Sequence, residues 1–226
     1  MALAEAIGEL VDDRAGLARE ALVRARQRTT PLVLARDRSL PVLEALHPLL
    51  PDGLRRGSVV GVAGGPGATT LALALAVATS AAGSWTAVVG APSLGLLAVD
   101  ELGVTPERLL VVPEPRRESW ATVVAALIDA VDLVVLAARR VAPGEVRRLT
   151  ARAREREAVL VALPPSGWPG ADVRLTVGRS TWDGPCGGGA GRLVARRAEV
   201  VADGRGAAAR QRRATLWLPG PDGRLG

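Results

Sequence analysis

The chain has 226 residues, of which 48% are hydrophobic and 23% charged, so it is long enough to bury one sizeable core. All 29 basic residues are arginine, which gives a net charge of +6 and excludes lysine chemistry such as Schiff bases, pyridoxal phosphate linkage and a P-loop lysine. The only histidine, His47, and the only cysteine, Cys186, exclude a His/Cys zinc cluster and an internal disulfide.

Two segments bear on localisation. Acids stand at Glu5, Glu9, Asp12 and Asp13, which is the wrong pattern for a secretory signal. The longest nearly apolar run, residues 71–85, is too short to cross a bilayer. We therefore expect a cytoplasmic protein with no membrane contact.

Residues 1–30 predict an amino-terminal helix. Leu3, Ile7, Leu10 and Leu17 recur at helical spacing within residues 3–26. Such a helix packs on its own domain or on a neighbouring subunit, so we expect it to be a candidate for self-association.

Residues 31–202 predict an α/β core, because short apolar strands alternate with longer helical patterns from residue 58 onward. The strands are predicted at 58–63, 85–90, 109–112, 132–137 and 158–163. The helices are predicted at 69–82, 93–102, 118–130 and 143–157. The expected fold class is α/β, with a mostly parallel central sheet and helices on both faces.

The pattern changes after Pro164-Pro165. Strands at 172–177, 192–201 and 215–218 follow one another without helices, which predicts an antiparallel extension of the sheet. The glycine-rich stretch 184–191 is expected to form a hairpin loop. Residues 203–226 are expected to form a basic carboxyl-terminal strand and a flexible tail.

A strand, a glycine-rich turn and a helix follow one another between residues 59 and 71, which is the layout of a P-loop. Ala68 stands where the motif has its lysine, and Val62 stands at its leading glycine. The turn keeps backbone N–H groups for a phosphate but lacks the charge that offsets it. The residues of this degenerate motif are Gly64, Gly65, Gly67, Ala68, Thr69 and Thr70.

Two further positions of a nucleotide hydrolase also lack charge. Strand 132–137 ends in Ala137 where a metal-binding carboxylate would stand, and Asp132 lies at the wrong end. The residues after strand 85–90 supply no acid to activate water. Arg55 or Arg56 could replace the lysine alone, but not all three groups. We therefore expect no catalytic residue, no metal, no cofactor and no ATP hydrolysis.

These segments, in this order, resemble the RecA-type recombinase core. The similarity rests on the run 40–50, on the entry from Gly53 to Gly57, and on the passage from Leu102 into strand 109–112. The resemblance implies a RecA-like P-loop fold. This sequence departs from the recombinase pattern at Pro164-Pro165, where recombinases place a polar nucleotide sensor.

A RecA-like chain with a degenerate ATP site and an arginine-rich late part is identified as a member of the ImuA family, in its actinobacterial ImuA-prime form. The resemblance implies a pseudo-ATPase of the SOS response to DNA damage, which acts as an accessory protein in translesion synthesis and mutagenesis. It also implies two partners, an ImuB-like inactive homologue of Y-family polymerases and an error-prone replicative-type polymerase.

Two other functions stay open. SulA, an inhibitor of cell division, is also RecA-like without an ATP site, so a tubulin-like partner would favour that function. A residual RecA-class ATPase would bind an ATP analogue together with magnesium.

Basic residues are concentrated late in the chain. Residues 139–156 carry seven arginines against two acids, and residues 179–226 carry nine against four. Such segments attract nucleic acid or an acidic protein, although a coding bias from lysine to arginine produces them without any partner. We favour the segment 192–218 as the surface that contacts a partner. Direct DNA binding stays open. Trp182 and Trp217 are expected to be buried. The candidate residues are Arg147, Arg148, Arg152, Arg196, Arg197, Arg210, Arg212, Arg213 and Trp217.

Overall fold

The structure is a computed structural model that describes residues 38–137, 140–163, 168–184 and 191–226. The predicted amino-terminal helix, Pro164-Pro165 and Cys186 lie outside the described residues. Four helices are described, which are α1 (Ala68–Ala81), α2 (Leu96–Leu102), α3 (Trp120–Ala130) and α4 (Pro143–Glu155). The described strands are β1 (Ser39–Leu40), β2 (Leu54–Arg55), β3 (Val59–Gly64), β4 (Thr86–Val89), β5 (Leu109–Val112), β6 (Leu133–Ala137), β7 (Val159–Leu163), β8 (Val173–Asp183), β9 (Ala195–Gly204) and β10 (Arg212–Trp217).

Eight strands form one sheet in the order β10-β9-β8-β3-β7-β6-β4-β5. The strands from β8 to β5 in this order run parallel to one another, whereas β9 is antiparallel to both β8 and β10. The mixed α/β class and the mostly parallel sheet are therefore confirmed, as is the antiparallel extension. Strands β1 and β2 form a separate antiparallel pair.

Helices cover both faces of the parallel strands, because these strands are apolar on both sides. One face packs against α1, α2 and residues 40–54, and its core includes Leu71, Val135 and Leu175. The other face packs against α3 and α4, and its core includes Ile128 and Leu149. Among the described residues, no helix is long and apolar enough to span a membrane.

The antiparallel strands extend the face on which α1 packs. Ala198, Val200 and Ala202 of β9 alternate along the strand and are buried in the same core as α1, together with Leu216 of β10. Where a flexible tail is expected, the backbone folds back: Trp217 N–H donates to Gly226 C=O at 2.6 Å, and Gly220 N–H donates to Arg224 C=O at 2.6 Å. The carboxyl-terminal segment thus closes against β10.

The last residue of β3 approaches β8 so closely that it must be glycine. Gly64 has φ of +111°, and a Cβ at this position would lie 2.1 Å from the carbonyl oxygen of Val177. The next residue, Gly65, has no neighbour within 4 Å of a built Cβ. The two adjacent glycines therefore differ sharply in the space they have.

We expect Gly64→Ala to lower the free energy of unfolding by about 2 kcal/mol or more, because it combines a strained positive φ with a clash against strand backbone. Gly65→Ala is the matched control and should change stability by less than about 0.5 kcal/mol. Urea unfolding followed by tryptophan fluorescence measures both. Equal effects of the two variants would contradict this account of the turn.

Candidate functional site

The glycine-rich turn, residues 64–70, lies at the carboxyl end of β3 in the middle of the sheet. Gly65 N–H donates to Val177 C=O at 3.2 Å, and Ala68 N–H donates to Gly65 C=O at 3.3 Å. The N–H groups of Gly67, Thr69 and Thr70 meet no acceptor within the described part of the chain. The amino-terminal end of α1 thus presents free donors, as expected for the first turn of a helix.

The side chain of Arg196 lies over this turn. It projects from β9, and only 7% of the residue is exposed. A Cβ at Gly67 would lie 3.0 Å from the Nη2 atom of Arg196, so the guanidinium packs directly on the glycine backbone. The Nη2 atom also lies 3.4 Å from the Oγ1 atom of Thr70.

Two further groups hold this guanidinium in place. Its Nε atom donates to Leu218 C=O at 2.6 Å, and its Cζ atom lies 4.9 Å from the centroid of the Trp182 ring. A guanidinium stacks well on an aromatic face while its edges donate hydrogen bonds. Arg196 therefore connects β8, β9, the carboxyl-terminal segment and the start of α1.

The electrostatic environment of Arg196 is unusual. Burial lowers the pKa of its guanidinium, and no carboxylate of the described residues forms an ion pair with it. The guanidinium stays protonated, because an arginine side chain does not lose its proton in proteins. It lies beside the positive end of the α1 dipole, so two positive features meet without an opposite charge.

The positions expected for metal and water activation lie at the carboxyl ends of β6 and β4, and neither carries a carboxylate. Ala137 ends β6, and its carbonyl oxygen lies 3.2 Å from the point that a Cβ of Gly90 would occupy. The carboxylate of Asp132 accepts hydrogen bonds from Arg56 Nη1 at 2.9 Å and from Trp85 N–H at 3.1 Å. These contacts lie at the amino ends of β4 and β6, so Arg56 does not replace the lysine. Within the described ranges, no group of three or more His, Cys, Asp or Glu residues could hold a metal ion.

The basic candidates on α4 divide into two groups. Arg152 and Arg156 both donate to Asp129 on α3, with Nε to Oδ1 distances of 2.8 Å and 3.0 Å. Arg147 and Arg148 are exposed on the same helix. Arg152 thus connects α4 with α3, whereas Arg147 and Arg148 face solvent.

The basic candidates on β9 and β10 and in the segment between them also differ in their contacts and exposure. Arg197 is paired with Trp217 across the two strands, and its Cζ atom lies 4.7 Å from the indole centroid. Arg213 donates to the side chain of Gln211 at 3.1 Å, while Arg210 is exposed and Arg212 is half-buried. Because successive side chains of a strand point to opposite faces, Arg197 lies on the face opposite to Arg196.

The burial of Arg196 was missed by sequence reasoning, which grouped it with the other late arginines as a candidate for partner or nucleic-acid contact. The alternation along β9 could have revealed it, because Arg196 is in phase with Ala198, Val200 and Ala202, which are all buried. The expected burial of Trp182 is also wrong, since 38% of this residue is exposed and Arg196 stacks on it.

Comparison with known protein families matches residues 48–170 to the MT3502 N-terminal domain. The chain belongs to this family. The matched region contains the glycine-rich turn and Ala137, but it ends before β8 begins, so Arg196 and Trp182 lie outside it.

One relative with a curated description is the uncharacterized protein Rv3395c of Mycobacterium tuberculosis. It is 40% identical over 111 residues, which are 48% of this chain and 53% of the relative. The chain therefore spans about half the length of the curated relative that it matches.

We expect Asp129→Asn to lower stability at neutral pH, because the hydrogen bond from Arg152 and the charges of Arg152 and Arg156 lower the pKa of this carboxyl. A lowered folded-state pKa stabilises the protein above the unfolded-state pKa of about 3.9 and loses this effect as the pH falls through the folded-state value. The difference from wild type should therefore shrink in acid. Urea unfolding between neutral and acidic pH measures it, with the exposed Asp52→Asn as control. A difference independent of pH would contradict the assignment.

Proposed function

We propose that this protein is a catalytically inactive accessory protein of damage-induced translesion DNA synthesis, which acts as a scaffold in a mutasome. The observation that carries the proposal is the loss of charge at the glycine-rich turn, because Ala68 stands at the position of the P-loop lysine. The absence of a carboxylate at Ala137 supports it, because metal-assisted hydrolysis needs such a ligand.

We propose a RecA-like P-loop core as the origin of this fold. The sheet supports this, because the chain leaves β3 towards β4 on one side and later returns to β8 on the other side. In open α/β sheets, ligands bind at such a switch point beyond the carboxyl ends of the strands. The glycine-rich turn lies at that point. The same fold is therefore compatible with a nucleotide site in an ancestor and with a degenerate form of that site in this chain.

We also propose the finer relation to the ImuA family in its ImuA-prime form. The support is the combination of a degenerate turn, an α/β core and an arginine-rich late part. The partners would then be an ImuB-like inactive polymerase homologue and an error-prone replicative-type polymerase. An accessory protein of this kind would act through contacts with these partners.

The enzymatic part of the proposal predicts no ATP turnover above background in the presence of magnesium, with or without single-stranded DNA. The physical reason is that neither the lysine nor the metal carboxylate is present. A phosphate-release assay on the purified full chain measures this, with Thr69→Ala as the matched variant. ATP turnover by the wild type that disappears in Thr69→Ala would overturn the proposal.

The partner part predicts that the full chain forms a complex with an ImuB-like protein encoded in the same genome. Co-expression followed by size-exclusion chromatography with light scattering measures the complex. The tubulin-like division protein of that genome is the control partner, and it should elute separately. Binding to the tubulin-like protein alone would favour the SulA-like function instead.

A further inference from the structure

Arg196 is a buried cation that the described residues leave without an opposite charge. Its fixed partners are a backbone carbonyl, a threonine hydroxyl and an aromatic face, all of which are uncharged. Burying a charge without a counter-charge is costly, and an anion that also accepts hydrogen bonds beside it would offset part of that cost. The charge of the Arg196 guanidinium is therefore not balanced by a negative group among the described residues.

A second feature at the same place favours an anion. The guanidinium lies at the amino-terminal end of α1, where the N–H groups of Gly67, Thr69 and Thr70 have no acceptor within the described ranges. Helix amino termini attract negative groups through these donors and through the helix dipole. The cation and the free donors come from β9 and α1, which are far apart in sequence, and they meet at a single point.

Two apolar side chains beside this point are exposed. Trp182, on which Arg196 stacks, is 38% exposed, and Val194, whose N–H donates to Asp183 C=O across the hairpin, is also 38% exposed. Asp183, the exposed acid next to Trp182, forms no ion pair with Arg196. Exposed aliphatic and aromatic side chains around a buried arginine are typical of sites that bind protein segments.

We propose that Arg196, Thr70 and the amino-terminal N–H groups of α1 bind the carboxylate of an acidic side chain in a partner protein, whose flanking apolar residues contact Trp182 and Val194. This inference rests on the proposed function and names the chemistry of one partner contact. A nucleic acid fits less well. Its backbone is recognised by rows of exposed cations, whereas this site has one buried cation, and Arg196 already covers one face of the Trp182 ring.

The first experiment uses sodium acetate as a probe for the carboxylate. We expect acetate to raise the thermal unfolding midpoint of the full chain above that in sodium chloride of equal ionic strength, because a ligand of the folded state stabilises it. Arg196→Gln should abolish this difference. Arg197→Gln, which removes the same charge from the opposite face, should keep it. If Arg196→Gln does not fold, Thr70→Val replaces it, and an acetate effect in this variant equal to that in Arg197→Gln would overturn the proposal.

The second experiment selects random short peptides displayed on phage against the full chain. We expect enrichment of Asp or Glu beside Leu, Ile, Val or Phe. The affinity of a selected synthetic peptide should fall about tenfold in Arg196→Gln and stay within about twofold in Arg197→Gln. Selected peptides without an acidic residue, or equal losses in both variants, would overturn the proposal.

Three further outcomes distinguish this proposal from its alternatives. Binding of an oligothymidylate that is lost in Arg196→Gln but kept in Arg197→Gln would assign the site to nucleic acid and overturn the peptide. ATP hydrolysis that depends on Thr69 would overturn the proposed function together with this inference. A complex with the ImuB-like protein, combined with no acidic preference among selected peptides, would overturn this inference alone.

Discussion

The contact between the Arg196 guanidinium and the start of α1 joins parts of the chain that are distant in sequence. Arg196 N–H donates to Pro219 C=O at 2.8 Å, and Leu218 N–H donates to Arg196 C=O at 2.7 Å, so its backbone ties β9 to the carboxyl-terminal segment. Its side chain then reaches Thr70 and Trp182. The antiparallel extension is thereby held over the end of the parallel sheet, and the conformation of the candidate site depends on this contact.

The parallel part of the fold could be predicted from the sequence because its signals are local. Strands β3 to β7 are valine- and leucine-rich apolar runs that are bounded by helices, and their predicted limits agree with the observed ones to within a residue or so. The limits of β8 were missed, since it continues to Asp183 through Gly178 and Arg179. A register shift between Val177 and Ser180 lets this polar half pair with β9. No local pattern in the sequence encodes that pairing.

The candidate site shows a similar division between local and distant information. The missing lysine and carboxylate could be read directly at Ala68 and Ala137, because motif positions are fixed by spacing. The guanidinium that lies on Gly67 could not be placed, because the distance between Gly67 and Arg196 is set by the order β9-β8-β3 in the sheet. Alternation along β9 predicts the face of Arg196, but only the strand order brings that face over the turn.

The identity of the residue at 196 follows from what it has to do at this site. A lysine ammonium is a strongly hydrated point charge, which cannot stack on the Trp182 ring while donating sideways to Leu218 C=O and Thr70 Oγ1. The planar guanidinium meets all three groups and covers the Gly67 backbone, which a side chain at 67 would prevent. A glycine is thus needed at position 67 because an arginine packs on its backbone. The conformation of the turn alone therefore does not indicate a nucleotide, and the charges around it have to be counted as well.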